Sequence, residues 1–126
     1  MAGAGRYRYT RAMRLLKTDE FSSVFNLRCS VGNEYFQVLG RPNGMGRARL
    51  GVVVGRRTDR RAVGRNYIKR TVRELFRHEA AQLAGIDLVV RPRRAFGRTE
   101  GAAARDALAQ LFRRIRGRFP QGGGGV

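Results

Sequence analysis

Ala62-Val-Gly-Arg-Asn-Tyr-Ile-Lys-Arg-Thr-Val-Arg-Glu-Leu-Phe76 is the stretch on which the reading of this chain turns. A helix predicted over 62–83 and stopped by Gly85 places Asn66, Arg70, Arg73 and Arg77 in one narrow sector at 100° per residue, with Arg65 and Lys69 on its shoulder. Ile68, Val72, Leu75 and Leu83 fall in a different sector, and Glu74 lies away from the cationic one. Such a helix needs an apolar partner on one side and presents a ridge about 16 Å long on another. Solvated faces ordinarily mix signs, whereas this sector holds only positive charge and one amide.

Working outward, Arg56, Arg57, Arg60 and Arg61 extend the patch from the preceding loop, and free backbone NH groups near 62–64 add an anion site. Residues 41–73 contain eleven basic side chains and one acid, Asp59, a net of +10. Guanidiniums present planar donor forks to phosphate oxygens, and Asn66 can bond sugar or phosphate without adding charge; contacts of this kind hold a backbone without reading a sequence. Upstream, the short apolar run 50–54 reads as a strand covered on both faces, and Pro42, Asn43 and Gly44 mark a turn. Residues 30–39 read as one extended segment, with Tyr35, Gln37 and Leu39 on one side and Phe36 and Val38 on the other. A first helix is expected from Thr18 as N-cap, with Asp19 and Glu20 at its positive end and Phe21, Val24 and Phe25 on one face. That spacing usually means core packing; an exposed aromatic platform is the alternative.

Downstream lie a strand, 86–90, ended by Pro92, and a helix, 101–116, whose Leu108, Leu111, Phe112 and Ile115 form a stripe for packing on the sheet. The order helix, strands, helix, strand, helix indicates an α+β sandwich around one small sheet. Its expected extent is a single domain, 14–118, between a basic arm, 1–13, and a glycine-rich tail, 119–126.

The 126 residues leave room for one modest core. Net charge is +18, from 27 Lys and Arg against 9 acids, and self-repulsion of that size asks for a polyanionic partner. On composition alone, nucleic acid, an anionic membrane surface and an acidic protein all stay open. No apolar run is long enough to cross a membrane, so a cytoplasmic protein is expected, without a membrane partner. One cysteine, Cys29, and one histidine, His78, leave no internal disulfide, no Cys-based zinc site and little basis for a catalytic triad. The scattered acids give no converging carboxylates for a protein-held two-metal nuclease, and no catalytic residue or small-molecule substrate is expected.

Leu50-Gly-Val-Val-Val-Gly-Arg-Arg57, followed by the 62–76 stretch, resembles the signature of the bacterial ribonuclease P protein family. In that family an Arg-Asn-Arg triplet, a Lys-Arg pair and a further Arg line the RNA-binding helix; Arg65, Asn66, Lys69, Arg70 and Arg73 stand in those places, and Tyr67 replaces the third triplet residue. The resemblance runs from about Arg14 to Arg116. It implies about four strands and three helices in the order α-β-β-β-α-β-α, like ribosomal protein S5 domain 2, with a left-handed crossover. It also implies a division of labour. The RNA subunit, with Mg²⁺ held mainly by RNA and substrate, cleaves the 5′ leader from precursor tRNA, and the protein binds ribonuclease P RNA and the leader as a non-catalytic component of the holoenzyme. The leader cleft would be formed by Phe21, Phe25 and one face of the sheet, where Leu39 stands at a position that can be aromatic; strand alternation suggests that Tyr35 supplies the ring. A general RNA-binding or ribosome-associated module is the alternative. A DNA-binding helix fits less well, because one side of this helix is committed to the sheet.

Overall fold

A computed structural model describes residues 29–119. The helix expected from Thr18, with Phe21 and Phe25, and the arm 1–13 lie outside the described residues. The elements are β1 (Ser30–Gly32), β2 (Phe36–Pro42), β3 (Arg49–Val52), α1 (Ala62–Glu79) continued by a 3-10 turn (Ala80–Leu83), β4 (Ile86–Pro92), a second 3-10 turn (Arg98–Glu100) and α2 (Gly101–Arg116). The described residues therefore hold an α+β fold of four strands and two helices.

The 30–39 segment is not one extended run. Asn33 breaks it, its Oδ1 accepting the NH groups of Tyr35 and Phe36 at 3.1 Å while its own NH donates to the Phe36 carbonyl at 2.9 Å. A short polar side chain that mimics a backbone turn is a strong local signal, and here it makes β1 and β2 an antiparallel hairpin with Ser30 opposite Leu39. At the far end of β2, Asn43 repeats the device toward Met45, and Gly44 takes φ +68, a left-handed conformation that favours glycine. Gly85, at φ +88, turns the chain from the end of the first helical segment into β4.

The sheet order is β1-β2-β4-β3, with β4 antiparallel to β2 and parallel to β3. Both helices cover one face, α2 over β1 and β2, α1 against β3 and α2. Pleat alternation sends Val31, Phe36, Val38, Leu50, Ile86, Leu88 and Val90 into that face, where they meet Ile68, Val72 and Phe76 of α1 and Leu108, Leu111, Phe112 and Ile115 of α2. Each fully buried side chain of this size contributes about 1.5–3 kcal/mol of transfer free energy. Phe76 and Phe112 lock the helices edge to face at 6.4 Å. Phe119, the first residue of the expected tail, is folded in as well, its ring approaching Gly40 and Ile115 beside it.

Candidate nucleic-acid interface

The helix carrying the ridge is fixed before any partner arrives. Ile68, Val72 and Phe76 are fully buried, so the opposite side of α1 cannot turn inward. Asn66, Arg70 and Arg73 are exposed along that side, Arg77 is half-buried, and Lys69 and Arg65 lie half-buried on the shoulder. The wheel drawn from sequence thus places these side chains together.

The loop before α1 is held by its one acid. Asp59 accepts from the backbone NH of Arg61 at 3.0 Å and from that arginine's guanidinium at 3.3 Å, and the carboxylate packs so closely on Gly64 that a Cβ there would collide with it. Hydrogen bonding from Arg61 holds the Asp59 carboxyl below the usual carboxylate range. Arg65 reaches back to donate to the carbonyls of Asp59, at 3.0 Å, and Arg60, at 2.9 Å. Arg61 and Arg65 are therefore partly engaged in shaping the loop. Arg56, Arg57 and Arg60 are exposed and, with Ala62 and Arg65, line a hollow of about 700 Å³ at the start of the helix. That is room for phosphate groups, faced by guanidinium forks and helix NH groups.

Tyr67 points elsewhere. Its ring meets Phe96 edge-on at 5.9 Å, Arg98 stacks over it at 5.8 Å, and its hydroxyl fills the space above Gly101 that a side chain would need. Here the residue that departs from the triplet joins the two helices.

The expectation for Tyr35 needs correction. It precedes β2, in the bend made by Asn33, so alternation does not carry it to the face of Leu39. Its hydroxyl donates to Glu100 Oε1 at 3.0 Å, its ring meets Phe96 at 6.0 Å, and Arg94 lies 4.9 Å above it. The bond to Glu100 raises the Tyr35 pKa. Leu39 is buried on the opposite face of the sheet, outside the core shared with the helices.

Sequence reasoning also missed a buried polar group on that opposite face. Asp87, fully buried in β4, takes Arg49 through two bonds of 2.9 and 2.7 Å, Arg41 at 3.2 Å and Asn43 at 2.8 Å. Burial pushes its carboxyl up, but the bonds from Arg49, Asn43 and Arg41 outweigh it and leave the pKa lowered. Register makes this possible, since Asp87 stands directly between Arg41 of β2 and Arg49 of β3. An acid in an otherwise apolar strand was the available signal. No three His, Cys, Asp or Glu side chains come together as a metal site among the described residues.

Fold and surface define a small basic α+β protein that holds a cationic helix rigidly at its surface. The family profile described as Ribonuclease P matches residues 9–116. This chain belongs to the ribonuclease P protein family. It is 56% identical over 109 residues to the ribonuclease P protein component of Chromobacterium violaceum, covering 86% of this chain and 90% of that one. To the corresponding protein of Azoarcus sp. it is 45% identical over 120 residues, covering 95% and 96%. Among solved structures, the RNase P protein of Thermotoga maritima superposes with a TM-score of 0.67 at 37% identity, covering 80% of this chain and 96% of that one. That of Staphylococcus aureus gives 0.72 at 25%, covering 82% and 95%.

Proposed function

We propose that this chain is the non-catalytic subunit of a cytoplasmic ribonuclease P, docking its α1 ridge on the catalytic RNA while the 5′ leader of precursor tRNA lies across the sheet face bearing Leu39. The observation that carries this reading is the ridge itself: Asn66, Arg70 and Arg73 exposed in line, backed by a fully buried apolar flank. Arg56, Arg57 and Arg60 extend the contact to phosphates beyond the helix start, with Arg61 and Arg65 holding the loop that presents them. Lys69 and Arg77 reinforce the ridge from its flank and far end.

The leader cleft is completed by Phe21 and Phe25 on the helix expected from Thr18, whose rings would stack on bases without regard to sequence. Tyr35 is left out of the cleft, because its ring is committed to Phe96 and Arg94. A helix from Thr18 would make the order α-β-β-β-α-β-α, and we assign the left-handed crossover of an S5 domain 2-like fold to the parallel β3-α1-β4 unit. The described residues bring no three His, Cys, Asp or Glu side chains together; the reading leaves Mg²⁺ to RNA and substrate, as the family resemblance implies. This chain's part is to bind, to screen phosphate repulsion and to orient the leader.

Reconstitution tests the reading. With a bacterial ribonuclease P RNA at low Mg²⁺, the full chain should restore leader removal that RNA alone performs poorly. Cleavage at the correct bond by RNA-free polypeptide, or no stimulation of the RNA, would overturn it.

A further inference from the structure

We propose that Arg93 and Arg114 form a second phosphate-binding contact, at the edge of the sheet away from the α1 ridge, which takes the sugar-phosphate backbone of an RNA strand. The two side chains come from the end of β4 and from α2, and they converge on one residue. Arg93 Nη2 stands 3.1 Å from the position a Cβ on Gly32 would occupy, and Arg114 Nη1 donates to the Gly32 carbonyl at 3.4 Å. Both arginines are exposed.

Neither meets a carboxylate among the described residues. The nearby acids are already taken, because Arg94 holds Glu34 at 2.9 Å and Glu100 at 2.7 Å. Two guanidiniums are thus left around one glycine at the sheet edge, Arg93 over its Cβ position and Arg114 on its carbonyl, with no carboxylate among the described residues to neutralise either. Capping does not account for Arg114: the last carbonyls of α2 are served by the backbone NH groups of Gly117, Arg118 and Phe119. The site is also built rigidly. Asn33, which makes the hairpin turn, donates its Nδ2 to the Ala107 carbonyl at 3.0 Å and so ties Gly32 to the helix that carries Arg114.

Position decides the occupant. β1 and β3 are opposite edges of the sheet, three strand spacings or about 14 Å apart. An RNA segment lying along α1, beside β3, does not follow the same course to Gly32. A second segment must reach it, and forked donors at an exposed edge suit phosphates of RNA. This rests on the reading that the chain works within a ribonuclease P particle, which supplies both RNA segments.

The test is a salt titration of binding by the full chain to bacterial ribonuclease P RNA carrying precursor tRNA, between 50 and 200 mM salt. Loss of two phosphate contacts in Arg93→Gln/Arg114→Gln should lower the slope of log affinity against log salt by about 1.4–1.8, so that the variant loses about 10-fold less affinity across this range than wild type. Arg93→Gln alone should give about half that change. Arg93→Lys/Arg114→Lys keeps both charges and should keep the wild-type slope. An unchanged slope in the double Gln variant, or in Arg93→Gln should the double variant fail to fold, overturns the proposal. If Arg70→Gln/Arg73→Gln lowers the slope while the Arg93/Arg114 pair does not, only this second contact is lost. If the ridge pair is silent, the earlier reading fails on its own account.

Discussion

Arginines of one basic stretch meet opposite fates in this protein. Arg41 and Arg49 turn onto buried Asp87 and become part of the sheet, whereas Arg56, Arg57, Arg60, Arg70 and Arg73 stay exposed around α1. Their difference lies in what register puts opposite them. Asp87 is aligned between the two strands that carry the inward pair, and the ridge has only an amide in its line. A charge count over 41–73 therefore overstates the exposed positive surface by at least these two arginines.

Breaking the inward group should have the largest effect. Asp87→Ala removes the buried carboxylate shared by buried Arg49 and half-buried Arg41 and should cost about 3–5 kcal/mol, read from urea unfolding; a cost under 1 kcal/mol would mean the group is not structural. Because the folded pKa of Asp87 is lowered, its contribution is present above the unfolded value, about 3.9, and is lost as pH falls through the folded one. Wild type should then lose stability below about pH 4, and Asp87→Asn should lack that part of the acid limb.

Gly64→Ala, at the junction between loop and ridge, forces the Asp59 carboxylate aside and should cost about 1–3 kcal/mol as overpacking. Equal stability of this variant and wild type would show that the loop yields freely. The outward group should respond in binding alone: Arg70→Ala/Arg73→Ala should reduce the salt slope for ribonuclease P RNA by about 1.4–1.8 while changing stability by under about 1 kcal/mol. A drop in stability as large as that of Asp87→Ala would erase the distinction between the two groups.

Much of this was legible in advance. Helical periodicity located α1, its ridge and its buried flank, and the stripe Leu108, Leu111, Phe112, Ile115 placed α2 on the sheet. Periodicity says nothing of where an extended run folds back, so the turn at Asn33 was read through, and with it the side on which Tyr35 lies. Nor does a linear sequence reveal which strands become neighbours. The union of Arg41, Arg49 and Asp87 depends on β4 inserting between β2 and β3. Arg65 illustrates a finer limit: its position on the wheel was right, but its bonds to the Asp59 and Arg60 carbonyls depend on a loop conformation that no spacing encodes.

The sheet order has a further consequence, for synthesis. β4 is the central partner of both β2 and β3, but it is the last of the described strands to be made. Until residue 92 has left the ribosome, the hairpin and β3 are fragments with no hydrogen-bonded link, and α1 has been translated with its greasy side uncovered. Folding of the growing polypeptide therefore waits for β4, and until then the young chain is a strongly cationic, incomplete thread.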